Sequence, residues 1–198
     1  MIRGDSVEYI ELQKWCEQCS LLPAHPKRIM SCEIGIREGL GSKIIMDTFM
    51  KRLKEKSNSE VYVHVGIDPY DDLKYQHYDN QPAYKADYTN DMRDTMLQDF
   101  KSYRKEGVFK PYIMTDIKYM YEEFWTEPYH FVHFDGPHMT ADVLTQAIYF
   151  ANRSIEGTRF VFDDYTKYGM DQVAFTLTYF GFKTIEAAEN KICLEKQT

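Results

Sequence analysis

The sequence predicts an α/β fold, in which helices cover both faces of a mostly parallel sheet that ends in a C-terminal antiparallel hairpin. Two observations support this prediction. Apolar segments of strand length alternate with segments of helix length from residue 28 onward. The last two apolar segments are separated only by Glu189-Asn190, a pair typical of a hairpin turn. The predicted sheet therefore combines parallel strands with one antiparallel strand.

The predicted elements follow an N-terminal helical extension, residues 1–27, which ends at Pro23 and Pro26 because proline breaks helices. Parallel strands are predicted at residues 28–35, 61–67, 111–117, 129–134 and 158–162. The hairpin strands are predicted at 183–188 and 191–194. Helices are predicted at 42–56, 91–105, 140–153 and 170–179, with a short helix through Trp125. Ser42 is the expected N-cap of the first of these helices, since its hydroxyl can accept a hydrogen bond from a backbone N–H.

Composition and charge exclude several functional classes. The 198 residues are 43% hydrophobic and 28% charged, which is typical of a globular protein that dissolves in water. The net charge of −7 disfavours binding to nucleic acid through its phosphates. No apolar run approaches the roughly 18 residues that span a bilayer, and no secretory signal is recognisable at the N-terminus. A cytoplasmic protein that binds neither nucleic acid nor membrane is therefore expected.

The four cysteines are too scattered to predict a disulfide scaffold, which agrees with a reducing compartment. Cys16 and Cys19 form a CxxC pair that redox enzymes and metal sites also use. The pair lies in a predicted helix, does not follow a strand and has no second CxxC. The sequence therefore favours a structural role for both cysteines.

Acidic residues follow two neighbouring predicted strands. Asp135 ends the strand at 129–134, and Asp163 and Asp164 end the strand at 158–162. One helix-length segment separates the strands, so their carboxyl ends are expected at the same edge of the sheet. Three unpaired carboxylates repel one another there, and a divalent cation with oxygen ligands, such as Mg²⁺ or Ca²⁺, would relieve the repulsion. One acid of the Asp163-Asp164 pair could instead cap the next turn.

A glycine-rich turn follows the first predicted strand, with Gly35 and Gly39 spaced four residues apart rather than two. Glycines at such a turn let the backbone approach a ligand closely. Glu33, just before the turn, is better suited to a ligand ammonium group than to a phosphate. Asp68 ends the second strand, where it could accept hydrogen bonds from ribose hydroxyls or simply begin a turn with Pro69. Asp116 could meet an adenine or be a plain turn acid.

Taken together, these motifs resemble those of the class I S-adenosylmethionine (SAM)-dependent methyltransferases. More narrowly, they resemble the metal-dependent O-methyltransferases of the catechol and macrocin types. The resemblance covers roughly residues 28–198 and implies a SAM-binding domain with a Rossmann-like, seven-stranded sheet. It assigns the methionine-binding turn to Glu33, Gly35 and Gly39 and the ribose to Asp68; Ser42 and Asp116 complete the predicted cofactor-binding residues. It assigns a divalent metal, expected to be Mg²⁺, to Asp135, Asp163 and Asp164.

The resemblance also proposes a general base. Catechol-type enzymes place it three residues after the first metal ligand, and His138 occupies that position. Macrocin-type enzymes commonly have an acid two residues after this ligand, where the present sequence has Pro137. An unperturbed histidine has a pKa of about 6.5, which suits a base near neutral pH.

The predicted function is SAM-dependent, metal-assisted methylation of a small hydroxylated acceptor, either a sugar or a phenol. A homo-oligomer is compatible with the sequence, and the tyrosine-rich loop between Tyr70 and Tyr88 could act as a lid. One alternative is a non-catalytic module that binds SAM or metal, which Pro137 keeps open. Another is an NAD-dependent oxidoreductase, which the glycine spacing, Glu33 and the acid pair disfavour.

Overall fold

The computed structural model describes residues 6–21, 28–56, 60–71, 73–85, 88–122 and 125–197, with side chains from residue 9 onward. The strands are β1 (Arg28–Ile34), β2 (Val61–Ile67), β3 (Lys74–Tyr75), β4 (Tyr84–Lys85), β5 (Phe109–Tyr112), β6 (Tyr129–Phe134), β7 (Ser154–Asp163), β8 (Phe182–Ala187) and β9 (Lys191–Lys196). The helices are α1 (Ser6–Gln18), α2 (Leu40–Glu55), α3 (Asn90–Asp99), α4 (Lys101–Lys105), α5 (Asp116–Glu122), α6 (Thr140–Ala151) and α7 (Met170–Thr178).

Seven strands form the main sheet in the order β5-β2-β1-β6-β7-β9-β8. The pairs β5-β2, β2-β1, β1-β6 and β6-β7 are parallel, and β9 runs antiparallel to both of its neighbours. β3 and β4 form a separate two-stranded ribbon. The predicted Rossmann-like sheet with a C-terminal antiparallel hairpin is therefore confirmed.

Helices cover both faces of this sheet, as its apolar central strands require. On one face, α6 and α7 pack against the sheet through side chains such as Phe150 and Leu177. On the other face, α1 and α2 contribute residues such as Trp15 and Phe49. β6 is buried along its whole length, which explains its almost unbroken apolar sequence. Both faces of the central strands are thus withdrawn from water.

The N-terminal helix shares the core of the domain that follows it. The indole N–H of Trp15 donates a hydrogen bond to Glu186 over 2.9 Å, and the guanidinium of Arg52 donates to the carbonyls of Cys16 and Cys19. Burial raises the pKa of the Cys16 thiol, and it raises that of Cys19 to about 12. Both thiols are therefore protonated near neutral pH, and the structure places the CxxC pair in the core.

Several predicted boundaries are wrong, each for a local reason. β5 lies at Phe109–Tyr112 rather than 111–117, and Pro111 is tolerated there because β5 is an edge strand. Asp116 consequently begins a helix and does not end a strand. The helix predicted at 91–105 is divided at Phe100 into α3 and α4.

The boundary at α2 changes the role assigned to Ser42. This helix begins two residues earlier than predicted, at Leu40, and its N-cap is Gly39. Ser42 therefore lies inside the first turn and is not the N-cap. Its hydroxyl is buried and bonds to side chains of the sheet, as described below.

None of the described helices is both long enough and apolar enough to cross a bilayer.

Candidate functional site

A cavity of about 260 Å³ opens at the carboxyl ends of β1 and β6, where the order of the parallel strands reverses. Open α/β sheets bind their ligands at this point. The predicted site residues that line the cavity are Gly35, Asp68, Asp116 and Asp135. Much of the remaining wall is apolar or aromatic and includes Ile34, Tyr70, Leu73, Tyr75, Tyr88 and Ile117.

The two glycines of the β1–α2 turn, Gly35 and Gly39, have different structural roles. Gly35 lines the cavity with a φ of +85°, and a Cβ atom there would lie 2.1 Å from the carbonyl oxygen of Asp135. Gly39, with a φ of +88°, lies away from the cavity lining, and a Cβ there would meet the ring of Phe100 at 2.6 Å. Gly35 thus permits the close approach of two loops at the cavity, while Gly39 starts α2 and admits a core side chain.

The carboxylate of Asp68 is oriented by backbone donors from the β1–α2 turn and from the segment that follows β2. Its carboxylate accepts hydrogen bonds from the backbone N–H groups of Arg37, over 2.9 Å, and Tyr70, over 3.0 Å. Burial raises the pKa of Asp68 above its ordinary value, although these hydrogen bonds oppose the shift. Each carboxylate oxygen has a second lone pair, so Asp68 can accept further hydrogen bonds from a ligand in the cavity.

Asp116 and Arg37 contribute further polar groups to the wall of the cavity. The carboxylate of Asp116 accepts a hydrogen bond of 2.7 Å from the side chain of Gln146, which fixes its orientation. The guanidinium of Arg37 lies 5.2 Å from the ring centroid of Tyr88, within range of a cation–π contact. Arg37 is not recognisable as a site residue in the sequence, because one arginine in a polar turn carries no distinctive pattern.

Glu33 and Ser42 lie behind this wall, in a buried polar chain that crosses the sheet. The hydroxyl of Ser42 donates to the carboxylate of Glu33 and therefore accepts from Nε2 of His64, which is 3.0 Å away. Nδ1 of His64 then accepts from the hydroxyl of Ser31 over 2.7 Å, and Ser31 in turn accepts from Tyr62 over 2.7 Å. Glu33 is thus satisfied by buried protein donors, whereas the sequence assigned it to a ligand ammonium.

His133 continues the buried polar chain on the other side of Glu33. Its Nδ1 donates to the Glu33 carboxylate over 2.8 Å, and its Nε2 accepts from the ammonium of Lys191 over 3.4 Å. Lys191 also forms an ion pair with Asp163. Burial and the nearby Lys191 lower the pKa of His133. The expectation that His64 and His133 are hydrogen-bonded structural residues is confirmed.

The neutral state of His64 predicts an acid-sensitive fold. Burial lowers its pKa to about 3, from about 6.5 in an unfolded chain. Between these values the unfolded chain binds more protons, so stability must fall as the pH falls. From pH 7 to pH 5, this one group should lower the free energy of unfolding by about 2 kcal/mol. Urea unfolding at both pH values, for the wild type and His64→Gln, measures it; equal losses in the two proteins would contradict the prediction.

Asp135 and Asp163 form a hydrogen-bonded pair beside Lys191. Burial and the charge of Asp163 raise the pKa of Asp135 well above its ordinary value. Burial would also raise the pKa of Asp163, but the Lys191 ammonium and the hydrogen bond from Asp135 outweigh it, and the pKa falls. Asp163 is therefore the acid of the pair with the lower pKa, and the Lys191 ammonium is its counter-ion.

Asp164 is separated from this pair by its own contacts. Its carboxylate lies 2.8 Å from the ammonium of Lys167 and accepts a hydrogen bond of 2.5 Å from the hydroxyl of Tyr78. Burial would raise the pKa of Asp164, but His138, Lys167 and Tyr78 outweigh it, and the pKa lies below its ordinary value. Asp164 thus lies in the turn just after β7, as an ion-paired side chain beside the site.

The structure does not bring the three predicted metal ligands into one set. Among the described residues, Asp135 and Asp163 lie within 4.8 Å of a ring nitrogen of His138, and Asp164 lies within that distance of His77 and His138. A third such group joins Glu33, His133 and Asp135. No group in the described part of the chain contains all three acids. His138 is the residue that links the two sides of the site.

His138 is buried beside the acids without satisfying its polar atoms. It is only 2% exposed, and within the described part of the chain neither ring nitrogen has a hydrogen-bond partner. Its Nδ1 is 3.6 Å from Asp164, too far for a hydrogen bond. The ring stacks on Tyr168 at a centroid distance of 5.5 Å. A buried imidazole with two unused nitrogens costs stability, which favours a role with a ligand.

The tyrosine-rich segment lies over His138. The backbone N–H of His138 donates to the carbonyl of His77 over 2.8 Å, and the two rings are 4.7 Å apart. Asp79 accepts hydrogen bonds from Thr140 at the start of α6. Tyr75, from the β3–β4 ribbon, lines the cavity. The described part of the segment therefore packs over His138 and contributes to the cavity wall, while its action as a lid stays a prediction.

Known proteins with this architecture are found among solved structures. No protein-family model matches the sequence, and no curated protein matches it at a significant level. The O-methyltransferase TomG from Streptomyces achromogenes, solved with SAM, has a TM-score of 0.61 at 9% identity; the match covers 100% of this chain and 82% of that one. The present chain has the fold of SAM-dependent methyltransferases.

Two further solved structures lead to the same fold. The calicheamicin methyltransferase CalS11 has a TM-score of 0.61 at 14% identity, over 98% of this chain and 80% of that one. An O-methyltransferase from Bacillus cereus, solved with S-adenosylhomocysteine (SAH), has a TM-score of 0.56 at 10% identity, over 98% and 83%. At these identities the likeness establishes the architecture, and the reaction must be argued from the site.

Proposed function

We propose that the chain is a SAM-dependent methyltransferase that methylates a hydroxyl group of a small acceptor. The observation that carries this proposal is the position of His138. Neither of its ring nitrogens has a hydrogen-bond partner among the described residues, and one of them lies within 4.8 Å of Asp135, which lines the cavity at the ends of β1 and β6. A cofactor cavity and a candidate proton acceptor thus adjoin each other.

The cavity suits the nucleoside part of SAM. Gly35 keeps the wall free of a side chain, Asp68 offers carboxylate oxygens to ribose hydroxyls, and Asp116 is oriented by Gln146 at the same cavity. The cavity offers fewer partners to the methionine part, because the Glu33 carboxylate is hydrogen-bonded to Ser42 and His133 behind the cavity wall. We therefore assign the nucleoside to Asp68 and Asp116, with Arg37 as a further polar contact.

The chemistry that remains for the protein is deprotonation and positioning. When bound, SAM supplies a methyl group whose bonding electrons stay on sulfur as the acceptor oxygen forms the new bond to carbon. His138 takes the proton that the acceptor hydroxyl loses, onto one of its two unpartnered ring nitrogens. Tyr75 and Tyr78 come from the segment over His138 and provide aromatic surface for a phenol or a sugar ring.

The predicted three-acid magnesium site does not fit this arrangement. Asp163 is paired with Lys191 and Asp164 with Lys167, and no group of candidate ligands in the described part of the chain contains all three acids. The repulsion that a divalent ion would relieve is thus already balanced by the protein. The proposed acceptor is held by the protein alone.

Calorimetric titration tests the function directly. We expect the purified chain to bind SAM but not NAD, and to release SAH when supplied with SAM and either catechol or a methyl glucoside as acceptor probe. SAM binding without turnover on a wider panel of hydroxylated acceptors would favour the non-catalytic module. Binding of NAD in place of SAM would overturn the proposal in favour of an oxidoreductase.

A further inference from the structure

A lysine lies in the interior of the acidic site. Lys191, the first residue of β9, is only 2% exposed, and its ammonium pairs with the carboxylate of Asp163. The same ammonium lies 3.4 Å from Nε2 of His133 and 5.6 Å from the ring centroid of Tyr9 in α1. Lysine is almost never buried to this extent unless it is paired. Lys191 is therefore a fixed internal cation.

The hairpin sets the position of this cation. Lys191 and Asp163 are directly opposite one another in the antiparallel register of β9 and β7. Cross-strand neighbours of this kind have Cβ atoms about 5 Å apart, so the side chains meet without rearrangement of the backbone. The pair does not depend on a mobile loop. In contrast, the ion pair of Asp164 uses Lys167, whose side chain is 52% exposed.

We propose that Lys191 supplies the positive charge that the sequence assigned to Mg²⁺, and that the site operates without a divalent ion. Lys191 forms an ion pair with Asp163 from the directly opposite position on the neighbouring strand, so this predicted metal ligand already has a cation beside it. Lys191 is a positioning residue, since it acts on the acids and not on the acceptor. That the site transfers a methyl group without a divalent ion rests on the proposed function. That Lys191 takes the place of Mg²⁺ beside Asp163 does not.

Magnesium titration of three proteins tests the proposal. The wild type is compared with Lys191→Met, which keeps a side chain of similar length without the charge, and with Lys167→Met as the matched control at the neighbouring acid. Calorimetry with MgCl₂ and thermal melting with MgCl₂ or EDTA are the readouts. The wild type and Lys167→Met should show no saturable Mg²⁺ binding at the Asp163 site and no change in melting temperature between MgCl₂ and EDTA.

Lys191→Met should behave differently. Removing the ammonium leaves the Asp163 carboxylate without a counter-charge and removes a positive charge that repels a cation. Saturable Mg²⁺ binding should therefore appear, at least roughly tenfold tighter than the weakest binding that the wild-type titration would detect. Its melting temperature should rise with MgCl₂. The double variant Asp163→Asn/Lys191→Met should lose this response, which would locate the bound ion at Asp163.

The wild type alone can overturn the proposal, so the experiment does not depend on the folding of a variant. Saturable Mg²⁺ binding by the wild type that Asp163→Asn abolishes would show that Lys191 does not replace the metal. A folded Lys191→Met protein with unchanged Mg²⁺ affinity would also contradict it. SAM titration in EDTA separates the two proposals: absent SAM binding there would overturn the proposed function, while the Mg²⁺ data would still decide the role of Lys191.

Discussion

Replacement of His138 by glutamine is expected to lower kcat by about 10²- to 10⁴-fold, the usual contribution of a general base. Glutamine fills much of the space of the ring but cannot take a proton at neutral pH. The affinity for SAM should change by less than about threefold, since His138 is not part of the cavity lining. Initial rates of SAH release, with the acceptor probe that supports turnover, and SAM calorimetry give the two quantities.

Chemical rescue distinguishes a base from a packing residue. The variant His138→Gly would leave a buried space among His77, Tyr78 and Tyr168, three rings that contact the imidazole. Added imidazole should restore part of kcat if a ring nitrogen accepts the proton. Equal losses of SAM affinity and kcat would instead indicate that His138 supports the cofactor cavity, and unchanged turnover would place the base elsewhere.

Replacement of Gly35 by alanine is expected to lower both the stability of the fold and its affinity for SAM. The new Cβ would stand 2.1 Å from the backbone oxygen of Asp135, and neither backbone can move without disturbing β1 or β6. A positive φ costs a non-glycine residue about 1–2 kcal/mol, and overpacking adds about 1–3 kcal/mol. The free energy of unfolding should fall by about 3 kcal/mol, and SAM affinity should fall by roughly tenfold or more because the cavity wall shifts.

Gly107→Ala is a matched control for this experiment. Gly107 has a similar φ, +78°, but a Cβ atom there meets nothing within 4 Å. Its substitution therefore measures the backbone strain alone and should cost about 1 kcal/mol with no change in SAM affinity. Urea unfolding and SAM calorimetry on both variants give the comparison. If the two alanines cost the same, the contact of Gly35 with Asp135 contributes nothing beyond strain.

The sequence was most informative where one residue pattern has one structural outcome. The buried run of β6 and the turn at Glu189-Asn190 predicted a parallel strand and an antiparallel hairpin, and both are present. Asp68 and Asp135 were placed at the ends of strands, and both line the cavity. These predictions succeeded because periodicity and strand ends are local properties of the chain.

The errors arose where a boundary depends on packing. Serine is a residue type common at N-caps, but in this helix Gly39 is the N-cap. The Ser42 hydroxyl points inward and donates a hydrogen bond to Glu33. The partners of Glu33 were likewise beyond the reach of the sequence: the fold supplies His133 as a donor, while the assignment of Glu33 to a ligand ammonium stays a prediction. Hydrogen-bond partners drawn from other strands cannot be read from a single segment.

By itself, the sequence determined the α/β architecture, the hairpin and the edge of the sheet at which Asp135, Asp163 and Asp164 gather. Only the tertiary structure decided which charges balance these acids. Lys191 follows Asp163 by 28 positions along the chain, yet the register of β9 on β7 brings their charges into contact. His77 and Tyr78 reach the same site from the segment over His138. The type of fold follows from local patterns of burial, whereas the electrostatics of the site follow from contacts between residues that are distant in sequence, which only chain packing creates.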